Sequence, residues 1–548
     1  MQIHHRLGLI LAGLALVLVA LEALPIGRRL RFDRLVRWAL AGTAAGNLLF
    51  VAFLWLQHAR FPFTLDLMEF SMLQHVMRAL EHRPIYAAAQ PGFVPFAYNP
   101  LFYFAALPLV RLFGPGLFAV RLPAILGALG ATLVLYGVVS GRTGSRGWGL
   151  AAAGLFAAAY QAMDSSLDMA HVDSLMICFV LLGAWSIDRH RSRLGDWTGL
   201  LLLIAAFWFK QHGAVFALGG ALYLTWRDGW RRSWGYWTAL LLLGPALYAF
   251  AGPSLLGPEF HFYTWDVPRH WSRLDAGTFL RMATFFGRGY AVLLVAAVYL
   301  CLRREPPGRP RWSAWQFLLP FAVLTAFQGA LDADSSDNVF APLGTWAILA
   351  GTLGLHAYGA GPGPAHRPRL GRLALLLAFA ALAYDPRDVL VPPRAQEKLT
   401  ELVRLLDALP GSTFAPDIGP LPGGRPLVPA AHWIALDDLM RAHARDSLIV
   451  ESVLDPAIHP RGGAWLLTYR RLDTYACLRS LRPCYVLDTD FGDRFRALQP
   501  LPRRFPVGWP RFLYRYDPAG AAAQARPGPA RAEPARPPAL RGAPPRRS

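Results

Sequence analysis

The chain has 548 residues, 54% hydrophobic and 16% charged, with a mean hydropathy of +0.31 and a formal net charge of +20. Soluble domains carry about 25% charged residues, so this balance excludes an ordinary soluble protein and points to a membrane. Almost all the positive charge is arginine, Lys210 and Lys398 being the only lysines. It gathers between apolar runs and in the tail, which is the positive-inside pattern rather than a nucleic-acid footprint.

In chain order, residues 7–26 form an apolar run followed by Arg28, Arg29, Arg31, Arg34 and Arg37. That flanking charge is opposite to a cleaved signal peptide's and predicts a retained helix starting outside and ending in the cytoplasm. A second run, 38–58, returns outward and delivers Asp66 and Glu69 to the outer face. Phe70, Leu73, Val76, Met77 and Leu80 then recur at helical spacing opposite His75, Arg78 and Glu81. This predicts an amphipathic helix lying along the interface. The apolar stretch 101–113 is too short to span comfortably and predicts a half-inserted or juxtamembrane helix.

From residue 118 onward, apolar runs alternate between arginine-rich turns and acid-rich or aromatic loops. The loops assigned to the outer side carry Asp164, Asp168 and Asp173, then Lys210, the aromatic stretch 260–271, and DADSSDN before Val339. The pattern predicts about twelve spans. Residues 386–517 change character: short apolar segments such as 447–453 and 464–469 are separated by turn signals at Leu409-Pro410-Gly411 and Pro422-Gly423-Gly424. They predict a small α/β or α+β domain outside the cytoplasm. The tail, 518–548, is Ala, Pro and Arg without apolar bulk and is expected to be disordered. Cys178 and Cys301 read as packing residues. Cys477 and Cys484 flank CLRSLRPC, for which a disulfide and free thiols both stay open.

The chemical signal lies in the outer acids. No phosphate loop, paired CxxC, HExxH or GxSxG occurs. Asp66 and Glu69 from the first outer loop could meet Asp173 from the second; one carboxylate could take a proton from an acceptor, and Glu69 with Asp173 could hold a divalent cation. Each acid could equally be a solvated interfacial charge. Lys210, at the outer end of an apolar run in FWFKQHG, suits a lipid-linked phosphate or is a snorkelling lysine. His171 and His212 read as helix-end residues or metal ligands. The aromatic loop 260–271 could gather sugar or isoprenoid, or simply form an interfacial belt.

Six stretches together resemble the C-type glycosyltransferase superfamily of membrane enzymes, in the bacterial branch of protein O-mannosyltransferases and aminoarabinose transferases. These are the early acid followed by HRPIY at Tyr86, AYNPLFYF with Tyr98, LFGPGLFAVRLPAILGAL with Arg121 and Pro123, AHVDSL with Asp173, FWFKQHG with Lys210, and DADSSDNVFAPL with Asn338. The resemblance spans roughly residues 37–515. It implies a polytopic all-α membrane domain (37–385) behind an extra N-terminal helix and basic loop (1–36), with a soluble domain after the helices. It also implies a polyprenyl-phosphate sugar donor, an acceptor of unknown class (lipid, glycan or protein), and an inverting transfer in which the early acid is the base. Asp173 would support a metal or the acceptor, and Lys210, Tyr98, Arg121, His171 and Asn338 would bind substrate. Two departures stand out. Many members carry adjacent Asp-Glu, whereas Asp66 and Glu69 are three apart, with distance to HRPIY favouring Glu69; and His171 stands where an arginine commonly precedes the second acid. Competing readings are a transporter or flippase, which would show inverted repeats and mid-membrane polar residues, and a non-catalytic scaffold.

Overall fold

The computed structural model of the chain describes residues 32–519 apart from Pro91, Arg191, 304–310, 333–334, 362–366, Pro420, Pro426, 428–430, 444–464 and 502–507. The expected first helix at 7–26, the segment 447–453 and all but the start of the tail lie outside the described residues.

The membrane part is helical throughout: α1 (Phe32–Arg60), α2 (Glu69–Leu80), α3 (Leu101–Phe113), α4 (Leu117–Thr143), α5 (Arg146–Ala158), α6 (Asp173–His190), α7 (Arg193–Phe209) and α8 (Gly213–Asp228). It continues with α9 (Trp230–Leu256), α10 (Ala276–Gly289), α11 (Ala291–Leu302), α12 (Ala314–Ala330), α13 (Ala341–Ala360) and α14 (Arg367–Ala381). Among the described residues four helices are long and apolar enough to cross a membrane: α1, α4, α9 and α13 with its lead-in turn. The α10–α11 pair passes the same test but bends by 94°. Other apolar runs form helices of 13 to 18 residues.

Close helix packing relies on small residues, as in other membrane bundles. A Cβ on Gly127 of α4 would fall 2.8 Å from the backbone nitrogen of Leu175. That contact seats the first turn of α6, and with it Asp173, tightly against α4.

The soluble part holds α15 (Ala395–Ala408), α16 (Trp433–Ala442) and a four-stranded sheet in the order β1-β2-β4-β3. Its strands are β1 (Thr413–Phe414), β2 (Trp465–Thr468), β3 (Tyr485–Asp490) and β4 (Phe512–Tyr516), with β1 and β2 parallel and the other pairs antiparallel. Leu466 faces Tyr514 and Leu467 faces Leu513 in register. Gly411 and Gly423 take positive φ, 82° and 72°, at the two expected turns. No disulfide joins Cys477 and Cys484.

This domain does not stand apart. Leu399, Leu402 and Leu406 of α15 share a core with Phe61, Phe63 and Leu65 of the first loop and with Met169 of the second. The Leu501 N–H donates to the Leu65 carbonyl at 3.1 Å. The two acid-bearing loops are therefore clamped between helices and sheet.

One expectation is corrected. Of the polar side of helix α2, His75 and Arg78 are buried, as are Glu69 and Ser71, and Glu81 is exposed. The polar face instead satisfies the backbone of the aromatic loop above it. Arg78 donates to the Pro84 carbonyl at 2.9 Å, and His75 accepts the Phe96 N–H at 2.9 Å.

Candidate active site

The structure separates the two early acids. Glu69 opens α2 and is fully buried against Arg121 of α4. Arg121 Nε donates to Glu69 Oε1 at 2.7 Å and Nη2 to Oε2 at 2.6 Å. Its remaining N–H groups go to the carbonyls of His58, Phe61 and Phe63 at 2.6, 2.6 and 2.8 Å. A guanidinium has five N–H donors and a carboxylate about four lone-pair sites. The Leu65 and Ala170 N–H groups fill the other two sites on Glu69, at 2.9 and 3.2 Å. Both groups are saturated inside the protein. Arg121, expected at the substrate, is a clamp on the chain 58–63, and Glu69, expected as the base, is its counter-ion.

Asp66 lies elsewhere. Its Oδ1 accepts the Met68 N–H at 2.6 Å, and its Oδ2 lies 3.2 Å from His171 Nε2. The other nitrogen of that ring, Nδ1, is 3.5 Å from Asp173 Oδ2. Asp173 accepts Lys210 Nζ at 2.6 Å and Asn338 Nδ2 at 3.0 Å. All five residues are buried. Asp173 starts α6, where a carboxylate suits the positive helix end. Lys210 sits just past α7, and Asn338 in the turn before α13. The Lys210 ammonium lies 6.0 Å from the centre of the Tyr98 ring, and the Tyr98 hydroxyl reaches Met68 Sδ at 3.5 Å. Thus Asp66, His171, Asp173, Lys210, Asn338 and Tyr98 come together, while Glu69 and Arg121 form a separate pair behind them.

Residues not singled out by sequence position hold this arrangement. Gln211 donates to the carbonyls of Ala97 and Thr264 at 2.6 and 3.1 Å, and Asn99 to that of Phe207 at 2.6 Å, bolting AYNP to FKQHG. Arg281 of α10 binds the loop before Asn338 through Ser335, Ser336 and Asp337. His58, Asp168 and Tyr160 form a buried chain, with His58–Asp168 at 2.8 Å. In the outer aromatic loop Phe260 packs on Tyr86, whereas Trp265 is exposed.

The pairing of Glu69 with Asp173 on a divalent cation does not fit these residues. The Glu69 lone pairs are filled by N–H groups, and Asp173 is neutralised by Lys210. Among the described residues no group of three or more His, Cys, Asp or Glu side chains has the arrangement of a metal site.

Residues 95–254 match the dolichyl-phosphate-mannose-protein mannosyltransferase family. A crystal structure of ArnT from Cupriavidus metallidurans in the apo state superposes with a TM-score of 0.52 at 15% identity, covering 88% of this chain and 99% of that one. At this identity the likeness shows the fold, which is that of ArnT. A second ArnT structure, bound to undecaprenyl phosphate, gives a TM-score of 0.46 at 16% identity over the same shares. No curated protein matches the sequence. The segment matched by the family, 95–254, contains Tyr98, Arg121, His171, Asp173 and Lys210 but neither Asp66 nor Glu69.

Proposed function

We propose that the protein is a glycosyltransferase that uses a polyprenyl-phosphate sugar at the extracytoplasmic face of a bacterial cytoplasmic membrane. The observation that carries this reading is the chain Asp66–His171–Asp173–Lys210, in which a carboxylate is linked through an imidazole to a lysine ion pair. It lies beneath the soluble domain, where the separate inter-helix loops that carry Asp66, Tyr98, His171, Lys210 and Asn338 converge.

In this reading Asp66 is the base. Its partner His171 is a ring that can reorient or exchange a proton, whereas Glu69 is locked by a guanidinium that stays charged. Asp66 takes the proton of an acceptor group as that atom attacks C1 of the sugar. The C1–O bond to phosphate breaks, and its electron pair leaves with the polyprenyl phosphate. Lys210 uses one N–H on Asp173 and has two others to meet the phosphate. Asn338 and His171 fix Asp173, which keeps the ammonium in place. Attack opposite the leaving phosphate inverts the anomeric centre, so one positioned base suffices.

The test is transfer in proteoliposomes from a panel of polyprenyl-phosphate hexoses and pentoses. Sugar transfer that depends on Asp66, Asp173 and Lys210 is expected. Movement of the lipid across the bilayer without transfer would favour a flippase, and no transfer from any donor overturns the reading.

A further inference from the structure

The soluble domain brings toward Asp66 one buried nitrogen, Nε2 of His432, that the chemistry above does not use. His432 precedes α16 and is 1% exposed. Its Nδ1 accepts the Ile434 N–H at 3.2 Å and so caps the helix. A neutral imidazole that accepts at Nδ1 carries its proton on Nε2. Burial holds the ring neutral, pushing it down to about 3 although the Asp66 carboxylate pulls the other way. Nε2–H is therefore a buried donor, and it meets no acceptor among the described residues. Leaving such a group unpaired costs its full desolvation penalty, and each instance in a folded protein calls for an explanation.

Its surroundings indicate what would pair with it. The His432 ring meets Phe96 at 6.4 Å edge-on, and Phe96 meets Tyr98 at 6.3 Å in the same manner. Further along α16, Asp438 accepts the indole N–H of Trp271 at 3.0 Å. Burial pushes Asp438 up to about 8, so it too is uncharged near neutrality. A neutral donor, a neutral carboxyl and aromatic faces suit a sugar ring, whose hydroxyls accept hydrogen bonds and whose C–H face packs on aromatics. A phosphate calls for a cation, and Lys210 supplies it.

We infer that His432 donates its Nε2–H to a hydroxyl of the transferred sugar, so that the soluble domain supplies part of the sugar subsite. The inference rests on the transferase reading. Its test uses the full-length protein in proteoliposomes with whichever sugar donor the wild type transfers, and unglycosylated undecaprenyl phosphate as competing inhibitor. His432→Asn keeps a helix-capping oxygen, but its shorter amide places no donor at the Nε2 position; His432→Ala removes both cap and donor. Both variants are expected to raise KM for the sugar donor about tenfold, the value of one hydrogen bond, with inhibition by undecaprenyl phosphate unchanged and the Asn variant melting near wild type. Equal weakening of both lipids, or no change in either, overturns the role of His432 while leaving the transferase intact. A wild type that transfers nothing removes both together.

Discussion

Arg121 and Glu69 form a closed pair: two guanidinium N–H groups hold the carboxylate at 2.7 and 2.6 Å, and both side chains are fully buried. Removing one partner of such a pair costs about 3–5 kcal/mol because the other charge is left uncompensated. Glu69→Gln and Arg121→Met should each lower the melting temperature of the purified protein sharply, or prevent its accumulation in membranes. A Glu69→Gln protein that melts like wild type would contradict this structural role.

Lys210 and Asp173 are coupled in the same way and, in the reading proposed above, face the reacting groups. Lys210→Met and Asp173→Asn should each lower transfer by about 10²–10³-fold, the range for removing one electrostatic stabiliser. In a double-mutant cycle on melting, the combined variant should lose less stability than the sum of the single losses. Additive losses would show that the pair at 2.6 Å is not energetically linked.

Gly213 begins α8 directly against the end of α7. A Cβ there would fall 2.3 to 2.5 Å from backbone atoms of Ala206 and Phe207, and backbone cannot give way as a side chain can. Gly213→Ala should displace Lys210 and Gln211 and reduce transfer by more than tenfold, roughly what a misplacement near 1 Å costs. Gly46, with nothing within 4 Å, should accept alanine with full activity.

The soluble domain carries a pH-sensitive group. Burial pushes Asp417 up to about 7, against the Tyr475 hydroxyl and the Tyr469 N–H, which favour its charged form. Unfolded, the carboxyl titrates near 3.9. The folded state thus holds a proton that the unfolded state has released. This contribution to stability is full below about pH 4, is lost as the pH rises to about 7, and is flat above that. Melting temperature should fall across that window, and Asp417→Asn should flatten the fall; an unchanged profile would show that the carboxyl is not the source.

What the sequence disclosed about the site follows from dimension. Asp173 and Lys210 stand at the ends of apolar runs, and a charge in such a place is visible along one line of text. The choice between Asp66 and Glu69 was not, because it depends on Arg121, 52 residues away from Glu69, and on His171, 105 away from Asp66. Spacing to HRPIY favours Glu69; its oxygens are taken up by Arg121 and two backbone N–H groups, which is why Asp66 is the base in the reading proposed above. Phe61, Phe63 and Leu65 form a shared core with the soluble domain. No local pattern announces a contact across more than 300 residues. The amphipathic helix was legible as a helix, but its periodicity could not say that the polar face would be covered by the loop that follows it.

The most direct measurement of the central claim compares Asp66→Asn with wild type in proteoliposomes, with melting recorded on the same preparations. The expected result is a folded variant that melts near wild type and transfers sugar about 10²–10⁴-fold more slowly, the range for a lost general base. An Asp66→Asn protein that is folded and transfers at the wild-type rate would contradict the assignment of Asp66 as the base.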